Sequence, residues 1–149
     1  MHRFLILALP LLVAGCLGPP IPDDELSITV LAQGQHSLQT ETRFEWITDP
    51  DGFKSLWEKT RTGARPSVDF ERDGVIAVFM GEQPTGGHSI RVDRAVLGDD
   101  ELMVEVVLQS PGAGCLTTQA LTQPYQMVSV PHVAEQATFT TRSVLVPCN

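Results

Sequence analysis

The segment VIAVFM, residues 75–80, constrains the fold of this chain most strongly, because every one of its positions is apolar. A strand with one face in water alternates apolar and polar residues, whereas an unbroken apolar run is typical of a strand covered on both faces. We therefore expect this segment to lie at the centre of a β-sheet.

The other predicted strands lie on both sides of this segment in sequence. β-Branched and aromatic residues, or alternating apolar positions, predict strands over residues 26–31, around 44–47, and over 88–97, 101–109, 125–130 and 138–146. The arms 88–97 and 101–109 are separated by Gly98-Asp99-Asp100, which indicates a hairpin.

One helix is predicted over about residues 49–61. Asp49 is a suitable N-cap, and Pro50 is favoured at the first helical position. An apolar stripe with helical spacing follows, and Gly63 is a stop signal after it; the stripe consists of Phe53, Leu56, Trp57 and Thr60. Together these elements predict an α+β domain with mainly antiparallel sheet and one packed amphipathic helix.

The first 15 residues have the composition of an export signal, with Arg3 ahead of a short apolar run. That run is shorter than the about 20 residues needed to cross a bilayer as a helix. It ends in LVAGC at residues 12–16, which resembles the bacterial lipobox and predicts lipidation of Cys16 by diacylglycerol and an acyl chain such as palmitate. The alternative is an ordinary secretory signal, although the usual A-x-A cleavage pattern is absent.

Lipidation divides the chain into a signal peptide (1–15), a lipidated cysteine with a Pro-rich tether (16–25) and a single domain (26–149). Leu17 follows Cys16 where the inner-membrane retention signal has aspartate, so we expect an outer-membrane lipoprotein with its domain in the periplasm or at the cell surface. Two or more acyl chains hold a protein stably on a bilayer. The membrane is therefore one predicted partner, reached through the lipid.

Composition excludes several classes of function. The chain has 10 basic and 18 acidic residues, and loss of Arg3 with the signal leaves a mature net charge of −9. Such a surface repels nucleic acid. The histidines are far apart and lack neighbours at ligand spacing, so no metal site is predicted. No serine-hydrolase or zinc-peptidase motif is present, and we expect no enzymatic activity and no cofactor.

Two cysteines remain once Cys16 is assigned to the lipid. Cys115 and Cys148 form an even pair in an exported protein, which predicts a disulfide between them. Two buried free thiols, or a reactive Cys115, are the alternatives, although the sequence shows no basic partner for a thiolate.

The segment GEQPTGGHSI, residues 81–90, is the strongest candidate for a functional loop. Gly81 and Gly86 have the spacing of a phosphate-binding loop, but Gly87 replaces the required lysine and a predicted strand follows instead of a helix. We expect a turn in which Pro84 presets the backbone and Gly86 and Gly87 allow positive φ. Partner binding is its secondary predicted role.

A longer pattern runs from residue 68 to residue 131. It consists of Asp69-Phe70, the apolar strand 75–80, Gly81, the turn PTGG at 84–87, the strand from 88, the hairpin to 102–107, Pro111-Gly112, TQPY at 122–125 and VSVP at 128–131. This order resembles the PrcB C-terminal domain family, and FKSLW at 53–57 fits the helix that often precedes it. The resemblance implies an envelope lipoprotein without enzymatic activity that binds another protein.

The named member of that family stabilises a surface protease complex, so the resemblance implies an envelope protein, such as a protease, as the partner and does not identify it. The residues predicted to contact it are Pro84, Thr85, Gly86, Gly87 and His88, together with Pro124 and Tyr125.

A second resemblance suggests a different class of protein. PTGGH at 84–88 is similar to the NPTTGY loop of chagasin-like cysteine peptidase inhibitors. The R-P-x-W segment of those inhibitors has no match, because Arg65-Pro66 is not followed by tryptophan. A peptidase inhibitor that uses residues 84–88 is therefore the alternative function.

Overall fold

The computed structural model describes residues 25–60, 63–131 and 134–148. It contains β1 (Thr29–Gly34), β2 (Arg43–Ile47), α1 (Pro50–Trp57), β3 (Asp73–Phe79), β4 (Ser89–Leu97), β5 (Leu102–Pro111), β6 (Tyr125–Pro131) and β7 (Ala137–Val146). This confirms the predicted α+β class, rich in strands. The signal peptide, Cys16 and the tether up to residue 24 lie outside the described residues. None of the described helical residues forms a segment long and apolar enough to cross a membrane.

The strands form two sheets, one of four strands in the order β1-β6-β3-β2 and one of three strands in the order β4-β5-β7. Neighbouring strands are antiparallel, as predicted, except that β5 and β7 run parallel. The strand that contains residues 75–79 lies between β6 and β2, so its predicted interior position is confirmed. Strand order was not predicted, because alternation along a strand does not encode its neighbour.

The domain has three layers, with α1 on one face of the four-stranded sheet and the three-stranded sheet on the other. Ile76 and Val78 of β3 enter the core between the two sheets. Val75, Ala77 and Phe79 enter the core beneath α1. Successive side chains of a strand point to opposite faces, and both faces of β3 are buried, which is why residues 75–80 contain no polar position.

Helix α1 begins as predicted and ends earlier than predicted. The Asp49 carboxylate accepts a hydrogen bond of 2.8 Å from the Gly52 N–H, which caps the first turn. After Trp57 the backbone tightens, because the Thr60 N–H and hydroxyl both donate to the Trp57 carbonyl, at 3.0 and 2.8 Å. Thr60 is buried, yet it lies in this turn and not in the helix.

The first strand also differs from its predicted range of 26–31. Residues before Thr29 run along β4, where Glu25 bridges Val96 and the Leu26 N–H donates to the Ala95 carbonyl at 2.9 Å. The chain therefore enters the domain at the β4 edge of the three-stranded sheet before it crosses to β1 in the other sheet.

Candidate protein-binding surface

The loop between β3 and β4 is fixed to the long connection between β5 and β6. Gln83 and Thr122 exchange two backbone hydrogen bonds of 2.7 and 3.0 Å. The Thr122 hydroxyl donates to the Thr85 carbonyl at 2.8 Å, and the Gly86 N–H donates to the Thr118 carbonyl at 3.0 Å. We call these two segments, residues 81–88 and 112–124, the ledge. Its first segment turns the chain between β3 and β4, as the sequence predicted, and hydrogen bonds at Gln83, Thr85 and Gly86 hold it to the second segment.

Glycine occupies positions 81, 86 and 87 of the ledge for different structural reasons. Gly81 and Gly87 adopt positive φ angles of 81° and 85°, a region that side chains disfavour. Gly86 does not adopt a positive φ, so that part of the prediction is wrong. It is constrained by close packing instead, because a Cβ at Gly86 would lie 2.3 Å from the Thr118 Oγ1. Sequence alone cannot show this, since Thr118 is distant along the chain.

The predicted contact residues of the first segment differ in their accessibility. Pro84 and Gly87 are exposed, Thr85 and His88 are half-buried, and Gly86 is buried. The His88 Nδ1 lies 3.2 Å from the Ser110 Oγ on β5, which fixes the imidazole ring against the sheet. Among these predicted contact residues, the surface available to a partner therefore consists of Pro84, Gly87 and the outer faces of Thr85 and His88.

Pro124 and Tyr125 are buried and contribute to the core. The Pro124 carbonyl accepts a hydrogen bond of 2.9 Å from the Met80 N–H. Tyr125 is 4% exposed and stacks on Phe79 with ring centroids 6.2 Å apart. Burial raises the pKa of the Tyr125 hydroxyl. These two residues thus stabilise the base of the ledge, and the accessible surface lies on the first segment and on the loop that precedes them.

A disulfide joins the ledge to the end of β7, as predicted. Cys115 and Cys148 are bonded, with Cα atoms 5.3 Å apart. The Gly112 N–H donates to the Val146 carbonyl at 2.8 Å beside this bond. The ledge and the C-terminal end of β7 are therefore held together covalently as well as by the backbone.

Four exposed aliphatic side chains occur in these covalently joined segments. Leu116 is fully exposed and Leu121 is 57% exposed on the ledge, while Leu145 is 73% and Val146 40% exposed at the end of β7. Single exposed aliphatic residues are ordinary, but their occurrence in segments joined by a disulfide makes these segments a candidate protein-binding surface. No sequence pattern distinguishes these residues, because Leu145 and Val146 continue the apolar composition of a strand.

The main charged cluster lies on the outer face of the three-stranded sheet. Arg142 donates to Glu105 at 3.1 Å and to Asp93 at 2.9 Å, and Arg91 also pairs with Asp93. Burial alone raises the pKa of Asp93, but hydrogen bonds and charge from Arg91 and Arg142 outweigh it and lower that pKa. The cluster cross-links β4, β5 and β7, which is a structural role. Among the residues described, no group of three or more His, Cys, Asp or Glu could hold a metal ion.

Residues 75–131 match a family model described as PrcB C-terminal. This match confirms the resemblance recognised in the sequence. It runs from β3 through β6 and includes both segments of the ledge. Comparison with curated proteins and with solved structures finds no significant match.

Proposed function

We propose that this chain, of which residues 75–131 belong to the PrcB C-terminal family, is an accessory lipoprotein of the bacterial envelope that binds and stabilises another protein. The family match carries this proposal, because the family is one of accessory domains of a protease complex and is not known as catalytic. The partner is accordingly an envelope protein, and a protease complex is the specific form of the proposal.

The ledge supports binding as the mode of action. Its two segments are joined to each other by backbone hydrogen bonds and to β7 by the disulfide. A surface that is rigid before binding loses little conformational entropy when a partner docks. Exposed Leu116 on the ledge and Leu145 at the adjoining end of β7 supply apolar area that a docked partner removes from water.

Membrane attachment through Cys16 places the domain near such a partner. The proposal rests on LVAGC at residues 12–16 and on the absence of aspartate at position 17. Cys16→Ser should leave an uncleaved precursor or a soluble form that no longer sediments with outer membranes. Mature protein that still sediments with the outer membrane after this change would refute lipidation.

Affinity purification from detergent-solubilised membranes, followed by mass spectrometry, tests the binding function. We expect an envelope protein to co-purify in a fixed ratio, and Leu116→Ser on the ledge to reduce its recovery. Val30→Ser is the matched control, because Val30 is 53% exposed on β1 of the other sheet and away from the disulfide. Equal recovery of the envelope protein with both variants would exclude the ledge as its binding site. If no specific protein co-purifies with the parent, the proposed function is contradicted.

The structure does not favour the inhibitor alternative. A loop that enters the cleft of a peptidase must project from the domain, whereas Gly86 is buried and Thr85 and His88 are half-buried. An inhibition assay against a papain-like peptidase checks this, and inhibition that Thr85→Ala abolishes would restore the alternative.

A further inference from the structure

We infer that the free edge of β7 accepts an extended, antiparallel strand from the partner protein, with aliphatic residues in the N-terminal part of that strand and basic residues at its C-terminal end. The inference rests on the proposed function, since it identifies where and how the partner binds. Four properties of β7 lead to it: an open edge, outward backbone groups, the absence of edge protection and opposite chemistry at the two ends.

β7 has a neighbour on one side only. It lies at the end of the three-stranded sheet and pairs with β5 over ten residues, from Ala137 to Val146. Within residues 25–60, 63–131 and 134–148, no strand pairs with its other side. Such an edge offers a row of backbone donors and acceptors to an added strand.

Two hydrogen bonds identify which backbone groups point outwards. The Gln136 carbonyl accepts from the Leu102 N–H at 2.9 Å, and the Val146 carbonyl accepts from the Gly112 N–H at 2.8 Å. The register between them is unbroken. Backbone groups of successive strand residues point to opposite sides, so the even-numbered positions face the β5 side. Odd-numbered positions, including Thr141 and Ser143, therefore direct their N–H and C=O groups to the free edge.

The edge strands of the four-stranded sheet have features that discourage pairing. β1 has a register shift between Val30 and Ala32, and β2 is five residues long. Bulges and short length are devices by which natural proteins block an exposed edge.

The opposite edge of the three-stranded sheet is covered as well. β4 has a register shift between Val92 and Arg94, and Glu25 bridges Val96. The side-chain oxygen of Gln126 accepts a hydrogen bond of 2.8 Å from the Val92 N–H, so this edge donor is already used.

β7 has none of this protection. Its sequence ATFTTRSVLV lacks proline and lysine, and its register has no bulge. Its one charged residue, Arg142, is drawn over the sheet by Glu105 and Asp93 and does not guard the edge. A long edge without these devices is open to pairing with a strand of another chain.

The two ends of β7 differ in chemistry. Exposed Asp99 and Asp100 lie at the tip of the β4–β5 hairpin, and this tip adjoins Gln136 just before β7 begins. At the other end, Leu145 and Val146 are exposed beside the disulfide. Antiparallel pairing, the more stable mode per residue, places the N-terminal part of an added strand beside the aliphatic end and its C-terminal end beside the carboxylates.

A second copy of this chain does not satisfy that pattern. Two β7 strands paired antiparallel would bring the acidic hairpin tip of each copy towards Leu145 of the other. The chain also carries a net charge of −8, so two copies repel each other at long range. A heterologous strand with a basic C-terminal end complements both ends of the edge.

The first test is binding of a synthetic peptide in which alternating valine and threonine precede two lysines at the C-terminus, measured by isothermal titration calorimetry. We expect the parent protein to bind this peptide, and to bind the peptide with lysines at its N-terminus about 10-fold more weakly, a difference of about 1.4 kcal/mol. Equal affinity for the two peptides, or no affinity for either, would overturn the inference.

Ser143→Pro is the diagnostic variant, because proline removes an outward N–H without removing a bond to β5. We expect a loss of about 10-fold or more in peptide affinity, since both a donor and the flat edge are lost. Ser143→Val keeps the N–H and should bind like the parent. Circular dichroism verifies that both variants are folded. Equal binding by the proline and valine variants would contradict the inference.

Asp99→Asn with Asp100→Asn provides a test that does not perturb β7. This variant should lose the preference for C-terminal lysines while it still binds the peptide. If the variant still prefers the peptide with C-terminal lysines, the proposed antiparallel orientation of the added strand is wrong. Analytical ultracentrifugation of the parent tests whether two copies pair through β7. A dimer of the parent that Ser143→Pro dissociates would show that a second copy occupies the edge, and this result would overturn the inference.

The membrane purification separates this inference from the proposed function. If the parent captures an envelope protein and Ser143→Pro captures the same amount, binding stands and the β7 edge is not the site. If the parent captures nothing specific, the proposed function itself fails. Capture by the parent and by Ser143→Val, but not by Ser143→Pro, supports both.

Discussion

Gly86→Ala tests whether close packing rigidifies the ledge. The added Cβ would lie 2.3 Å from the Thr118 Oγ1, while the next nearest atom is 3.6 Å away. The conflict is therefore with one atom. Overpacking of this kind costs about 1–3 kcal/mol. Thr118 is exposed and its hydroxyl can rotate, so we expect a loss near the lower end, about 1 kcal/mol.

A double-mutant cycle isolates this conflict. Thr118→Ala removes the Oγ1, and Gly86→Ala should then cost little, which gives a coupling free energy of about 1 kcal/mol. Gly87→Ala is the contrasting case, because its φ of 85° penalises any side chain. It should cost about 1–2 kcal/mol, and Thr118→Ala should not relieve that cost.

Urea unfolding measures these differences, provided that the m-value does not change between variants. A loss of about 1 kcal/mol should also lower the Tm by about 4 °C in a domain of this size. The reasoning would be refuted if Gly86→Ala cost the same with and without the Thr118 hydroxyl, or if Gly86→Ala were neutral in the parent.

Three further predictions concern the rest of the domain. Replacing Cys115 and Cys148 by serine opens a loop with a sequence separation of 33. In the chain-entropy model this should destabilise the domain by about 4 kcal/mol, measured by urea unfolding. A loss below about 1 kcal/mol would contradict this prediction. Gly74→Ala places a Cβ 2.1 Å from the Trp46 ring and should cost about 1–3 kcal/mol, whereas Gly63→Ala meets no atom within 4 Å and should be neutral in the same assay. Because the folded pKa of Asp93 is lowered, its stabilisation is present above the ordinary aspartate pKa and is lost as the pH falls through the folded value. Asp93→Asn should therefore flatten the dependence of stability on pH between about 2 and 5, and an unchanged dependence would be inconsistent with the ion pairs.

Most of the secondary structure could be predicted from sequence, because local patterns encode it. The apolar run at 75–80 identified an interior strand, and its alternate side chains enter two different cores. Asp49 and Pro50 located the start of α1. The end of the helix depends on Thr60, whose side chain the sequence places equally well in a helix or in a turn.

The candidate binding surface was only partly predictable. The turn at 84–87 is encoded by its proline and glycines, but the burial of Tyr125 and the contact between Gly86 and Thr118 arise from chain segments distant in sequence. The open edge of β7 depends on the parallel pairing with β5, and no pattern within the strand specifies that neighbour.

Site-specific photo-crosslinking in the native membrane tests the central claim, that the chain binds an envelope protein through the ledge and the β7 edge. A photoreactive amino acid is placed at Leu116, at Leu145 or, as the control, at Val30, all exposed in the free domain. The account predicts one adduct of the same mass from Leu116 and Leu145, and none from Val30. Adducts equally abundant at all positions, or no adduct at either predicted position, would contradict it.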